Sequence, residues 1–118
     1  MEMWIGVDCE EVARFEGILK DVPLLKKLFT QREITYCTKK ANPTQHLAAR
    51  FAGKEAVLKA FHSAGWKISL NEIEIVNDEK GLPIANLLQD GMVGVEVKLS
   101  LSHSKTIAVA FAVVTRTV

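Results

Sequence analysis

The 118-residue sequence is short of cysteine. Cys9 and Cys37 stand far apart, in no CxxC or Cys/His spacing that would hold zinc, and read as two free thiols of a reducing compartment. It also lacks any apolar run near the roughly 20 residues that a membrane span needs. Met1 to Val7 is too short for the apolar core of a signal peptide and runs into acids, so the expected location is cytoplasmic. The net charge is only +1, and surface aromatics are not interleaved with basic residues. Neither feature supports nucleic acid as a partner. There is no internal repeat and no low-complexity segment. A chain of this size, 48% hydrophobic and 25% charged, is expected to form one soluble domain over residues 1–118 with a single core.

What charge there is lies unevenly. From residue 39 to residue 67 six basic residues (Lys39, Lys40, Arg50, Lys54, Lys59, Lys67) face one acid, Glu55, while Asp8, Glu10 and Glu11 cluster near the start. A basic region and a small carboxylate cluster suit a phosphorylated ligand with a divalent metal better than a duplex.

Alternation over Met3–Asp8 predicts a strand with Asp8 at its end. Asp8 has two readings there, a ligand-facing group or the N-cap of the following helix. Glu10 to Lys20 has helical spacing, a short helix starts at Pro23, and Thr30-Gln31-Arg32-Glu33 is a capping box opening another. Asn42-Pro43 starts a long central helix reaching Ser63 or Ala64. Its core face is Leu47, Phe51, Leu58 and Phe61. Lys54 falls inside that stripe, where a charge needs a partner. Glu55 and Lys59 share a flank four residues apart, which alone reads as an exposed ion pair worth about 0.3 kcal/mol. Gly53 costs roughly 1 kcal/mol against Ala at mid-helix, a cost that close approach of backbone or ligand would justify.

The second half changes character. Two arms around the turn at Asn77–Gly81 form a hairpin, with Pro83 at an edge or an unpaired start. Val95 to Ser102 alternates, and Ser102-His103-Ser104-Lys105 turns. Thr106 to Val114 is apolar on both faces and small on one (Ala108, Ala110, Ala112), which predicts a central strand with a helix close on its small face. The expected class is α+β: one N-terminal strand, three to four helices, then an antiparallel set of four strands from the C-terminal half.

Several motifs come in one order over the chain. They are Gly6-Val7-Asp8 with Glu11 to Phe15, Arg50-Phe51-Ala52-Gly53-Lys54-Glu55-Ala56 with Lys59, Asn77-Asp78 with Gly81-Leu82-Pro83, and Leu99 to Ser104. Together they resemble the holo-acyl-carrier-protein synthase type of 4′-phosphopantetheinyl transferase, essentially end to end. The resemblance implies that fold and the transfer of 4′-phosphopantetheine from coenzyme A to a serine of an apo acyl carrier protein, with release of adenosine 3′,5′-bisphosphate. It implies Mg²⁺ held by Asp8 and Glu55, and Arg50, Lys54 and Lys59 near the phosphates. Gly81 and Pro83 would form the adenine-side loop, and Ser102, His103 and Ser104 would line the nucleotide. The serine proton would go to a metal-bound water or to Glu55. Arg14 would dock an acidic carrier helix, with Lys20, Lys26 and Lys27 as weaker candidates. Family members of this size are homotrimers with sites at subunit interfaces, and fatty-acid synthesis is the default pathway.

Glu10 departs from the usual apolar residue at its position. Asp8-x-Glu10 resembles the larger members of the superfamily, so Glu10 enters as a third metal ligand, against the plainer reading of a first-turn acid favoured by the helix dipole. Leu58 and the helix exit Phe61–Gly65 also depart from the family pattern. The alternative function is a relative that binds coenzyme A or a carrier without turnover.

Overall fold

The computed structural model describes residues 1–117. β1 (Glu2–Glu11) continues three residues past Asp8, because it pairs along its whole length with the last strand, from Glu2 opposite Arg116 to Glu11 opposite Ile107. Those ladder bonds override the helical reading of the acids. Helix α1 (Arg14–Lys20) therefore starts four residues later than the spacing suggested, after Ala13, which makes no side-chain cap. Asp8 caps nothing, and Glu10 is a strand residue rather than a first-turn acid.

Helix α2 (Val22–Leu28) has Pro in its first turn and is capped by Asp21, which accepts from the Leu24 amide at 3.2 Å. Helix α3 (Gln31–Thr38) opens on the expected capping box between Thr30 and Glu33. Helix α4 (Pro43–Ser63) follows the Asn42-Pro43 start. A single 3₁₀ turn then leads into the hairpin β2 (Ile73–Asn77) and β3 (Pro83–Leu87), and β4 (Val95–His103) and β5 (Ile107–Arg116) complete the chain.

The strands divide into two antiparallel sheets, β1-β5-β4 and β2-β3. The four C-terminal strands thus do not form one set: β1 takes the place beside β5, and β3 makes no ladder with β4. β5 is central, as its two apolar faces required, and its small residues Ala108, Ala110 and Ala112 are buried beneath α4. The approach is closest at two glycines. A Cβ on Gly6 would collide with the Ala56 carbonyl of α4, and one on Gly53 would lie 2.5 Å from Ile75 Cδ1 and 3.0 Å from Leu101 Cδ2. That contact is what Gly53 gives in return for its weak helix propensity.

α4 is buried on nearly every side. One apolar cluster joins Leu47 and Phe51 to Phe15, Phe29 and Cys37 of the N-terminal helices. A second joins Ala56, Ala60 and Phe61 to the sheets. Each fully buried phenylalanine contributes about 1.5–3 kcal/mol. Leu58, expected on the core face, is only partly buried and packs at the margin of the second cluster.

The partner that Lys54 needed is Glu33. The pair meets at 2.7 Å with both side chains wholly buried. Glu33 also accepts from the Thr30 amide at 2.8 Å and, through Oε2, from the Ile75 amide at 2.8 Å. Removing either charge would leave the other stranded, at about 3–5 kcal/mol.

The opposite face of the three-stranded sheet is open, apolar along β1 and β5 and polar along β4. Met3 (60%), Ile5 (60%), Val7 (57%), Val109 (39%) and Phe111 (44%) are exposed there, and no element among the described residues covers them.

Candidate active site

The period-two alternation of β1 sends Met3, Ile5 and Val7 outward, and Gly6, Asp8 and Glu10 inward beneath α4. Because Gly6 lets the backbone of β1 touch α4, a lysine one turn along the helix can reach the strand. Lys59 Nζ donates to Asp8 Oδ1 at 3.1 Å and to the Val7 carbonyl at 3.0 Å. Asp8 Oδ2 is buried and has no donor. A buried carboxylate oxygen left unsatisfied is costly, and it is the lone pair that a cation would complete.

Two more carboxylates share this surface. Burial and the Asp8 charge push the Glu55 carboxyl above its ordinary value, against smaller opposing effects of Lys59, Arg14 and His62. Glu10 is pushed up to about 7, first by burial and then by Asp8; Arg14 opposes this and Glu55 adds to it. Arg14 holds Glu10 through a 2.8 Å ion pair. Glu10 and Glu55, both raised in part by neighbouring carboxylate charge, mark a surface short of positive charge. Among the described residues no three His, Cys, Asp or Glu side chains form a closed metal cage. Mg²⁺ does not require one, since it takes one or two carboxylates and fills its octahedron with substrate phosphates and water. The donor set fits that ion.

A second cluster is basic. The register places Glu10, Ala108 and His103 in one row across the sheet, so His103 lies on the inner face near α4. Its ring centroid is 5.8 Å from that of His46, which is 6.0 Å from Tyr36. Arg50 lies over the Tyr36 ring at 4.3 Å and Lys40 at 4.5 Å. Burial lowers the His46 pKa, and the charges of His103, Lys40 and Arg50 lower it further. Arg50 donates to Asn77 Oδ1, and its buried Nε has no partner. Crowded cations with an unsatisfied guanidinium N–H describe a place for an anion.

The structure thus brings Asp8, Glu10, Glu55 and Lys59 together and sets Arg50 and His103 in the basic cluster. Gly81, at φ +83°, and Pro83 lie at the turn of the separate hairpin, linked to Arg50 through Asn77, whose Nδ2 donates to the Gly81 carbonyl at 2.8 Å. Ser102 pairs with Val109 on the outer face, away from His103. The Ser104 hydroxyl accepts from the Thr106 and Ile107 amides at 3.3 and 3.2 Å. Lys54 is the clear correction: wholly buried against Glu33, it cannot reach a phosphate. Tyr36 and His46 were not among the expected site residues, although His46 lies one helical turn before Arg50 and so faces the same way.

The profile of the 4′-phosphopantetheinyl transferase superfamily matches residues 5–112. A holo-[acyl-carrier-protein] synthase of Syntrophus aciditrophicus is 41% identical over 117 residues, covering 92% of this chain and 91% of that protein. The fold superposes on the Chronobacterium ammoniagenes ACPS-CoA complex with a TM-score of 0.83 at 27% identity, covering 99% of both chains. It superposes on a Bacillus anthracis holo-(acyl-carrier-protein) synthase in complex with CoA (3′,5′-ADP) with a TM-score of 0.81 at 32% identity, covering 98% of this chain and 100% of that one.

Proposed function

The chain belongs to the 4′-phosphopantetheinyl transferase superfamily, as an enzyme of the holo-[acyl-carrier-protein] synthase type, and from that premise we propose its reaction and the residues that perform it. The chain transfers 4′-phosphopantetheine from coenzyme A to a serine hydroxyl of an apo acyl carrier protein, depends on Mg²⁺ and releases adenosine 3′,5′-bisphosphate. The observation that carries this reading is the buried, donor-less Oδ2 of Asp8 beside Lys59 and two further acids.

Asp8 and Glu55 would hold the metal, with Glu10 as a third carboxylate of the set. The ion, when bound, neutralises the pyrophosphate and supports the departing phosphate. Lys59, half-exposed and anchored on Asp8, presents its ammonium to the same phosphates. Glu55, whose proton affinity burial and the Asp8 charge raise in the absence of metal, is one of two acceptors proposed for the serine proton, the other being water. Arg50 and His103, with His46 and Lys40, receive the 3′-phosphate and ribose side of the nucleotide, and the Gly81–Pro83 turn borders the adenine. Exposed Arg14, fixed by Glu10, offers its remaining donors to an acidic carrier helix.

The open apolar face of β1 and β5 supports a homotrimer with sites at the subunit interfaces. Two free thiols suit a cytoplasmic enzyme, and fatty-acid synthesis is the pathway proposed. Release of adenosine 3′,5′-bisphosphate tests the reaction. It is expected only when coenzyme A, Mg²⁺ and apo carrier are all present, and release without carrier would overturn the reading.

A further inference from the structure

Two ties, one buried and one part-buried, join α4 to β2 one helical turn apart. At one, Lys54 Nζ meets Glu33 Oε1 at 2.7 Å while Glu33 Oε2 accepts the Ile75 amide at 2.8 Å. At the other, Arg50 donates to Asn77 Oδ1. Four residues advance about 6 Å along a helix, and two residues about 6.6 Å along a strand. Arg50 and Lys54 therefore keep step with Asn77 and Ile75, the helix and the strand running in opposite directions.

The hairpin needs such ties. β2 and β3 share no ladder with the β1-β5-β4 sheet, so side chains set how the hairpin sits against α4. The Ile75 amide is spent on Glu33 rather than on β3, and Asn77 carries the tie onward by donating to the Gly81 carbonyl at 2.8 Å. Glu33 is itself locked, since its Oε1 closes the capping box of α3 through the Thr30 amide at 2.8 Å. Thr30 Oγ1 in turn donates to Glu74 Oε2 at 2.6 Å, so α3 grips β2 at two successive residues. Neither Lys54 nor Glu33 has any exposed side-chain surface, and neither can touch a ligand. A fully buried ion pair is also a poor source of stability compared with apolar packing of the same volume. What it offers is one fixed geometry.

We propose that the Glu33–Lys54 pair is a positioning device for the coenzyme A site: it fixes β2, and through Asn77 the Gly81–Pro83 turn, against the helix that carries Arg50, Glu55 and Lys59. The proposal deepens the functional reading above and rests on its assignment of that turn to the nucleotide side. Lys54 and Glu33 are positioning residues, one step removed from substrate.

The test uses the full chain carrying Glu33→Met and Lys54→Met together. The double substitution removes both charges at once and leaves neither stranded, so the protein is expected to fold where Lys54→Met alone fails. Two readouts are needed. Amide exchange, measured without ligand, is expected to quicken about tenfold or more across residues 75–83 and to stay unchanged in β1 and β5. The KM for coenzyme A is expected to rise about ten- to a hundredfold, the scale on which ångström-size misplacement acts, with a much smaller change in kcat and in the KM for carrier. Unchanged exchange over 75–83 would overturn the tie. Quickened exchange with an unchanged KM for coenzyme A would overturn the positioning role and leave the pair as packing alone. Direct calorimetry of coenzyme A on the wild type separates the two readings. A wild-type chain without coenzyme A binding overturns the functional assignment and the nucleotide role with it, whereas the exchange result still decides whether the pair holds the hairpin.

Discussion

Lys59 and Asp8, distant in sequence, meet at 3.1 Å with the lysine side chain half-exposed and the carboxylate nearly buried. The lysine is aimed by the strand: its second bond, to the Val7 carbonyl, holds the ammonium beside Asp8. Replacing it by Ala is expected to lower kcat about 10²–10³-fold, the scale for loss of one aligned group at developing charge. Stability should fall by about 1–3 kcal/mol as Asp8 loses its donor. Lys59→Arg should recover only part of the rate, because a planar fork does not replace a compact ammonium. Steady-state kinetics and thermal melts check both.

The two glycines that seat α4 should respond differently to the same methyl group. On Gly6 it meets the Ala56 carbonyl, which is backbone of the central helix, whereas on Gly53 it meets the ends of Ile75 and Leu101. Gly53→Ala is expected to cost about 1–3 kcal/mol of overpacking, offset by about 1 kcal/mol of helix propensity. Gly6→Ala has no such offset and should be the more damaging, seen as the larger drop in denaturation midpoint.

Protons and metal should compete at the acid cluster. The folded-state pKa of Glu10, about 7, lies above its ordinary value of 4.5. Between those values the folded protein holds a proton that the unfolded chain has released, so this group makes stability fall as pH rises through that window. The protein should therefore gain less stability from Mg²⁺ at pH 5.5 than at pH 7.5, its apparent Mg²⁺ affinity falling in proportion to the fraction of Glu10 that is deprotonated. Glu10→Gln should flatten that dependence and weaken Mg²⁺ binding. Melts with and without Mg²⁺ across pH measure it, and an unchanged Mg²⁺ affinity in Glu10→Gln would remove Glu10 from the ligand set.

The outer sheet face predicts assembly. Ile5 and Phe111, 60% and 44% exposed, should each tolerate Lys in the isolated fold, with stability changed by about 0.5 kcal/mol or less. In light scattering the wild type should run as a trimer and Ile5→Lys as a monomer. If the sites lie at subunit interfaces, transferase activity should fall with the trimer.

The pattern of residues carried much of this account and missed particular parts. The small face of β5 and the capping box at Thr30 follow from local spacing, and both are present. The extension of β1 through Glu11 was hidden because acids beside a helical stretch read as its first turn, and only pairing with β5 decides otherwise. That one shift puts Glu10 on the face of Asp8. The role of Lys54 was misread because its partner, Glu33, belongs to another helix; a core lysine and a phosphate-binding lysine look alike in one dimension. Gly53 was recognisable as anomalous, but its reason, Ile75 and Leu101, lies in two other strands. His46 joins the basic cluster only through folding, which sets its ring beside that of His103.

The most direct measurement is the intact mass of an apo acyl carrier protein after incubation with this chain, coenzyme A and Mg²⁺. A gain equal to one phosphopantetheine on the carrier is expected with the wild type. It should be lost with a chelator and with Glu55→Gln, while that variant keeps its melting behaviour. No gain on any carrier of a panel, or an undiminished gain with Glu55→Gln, would contradict the assignment of this site.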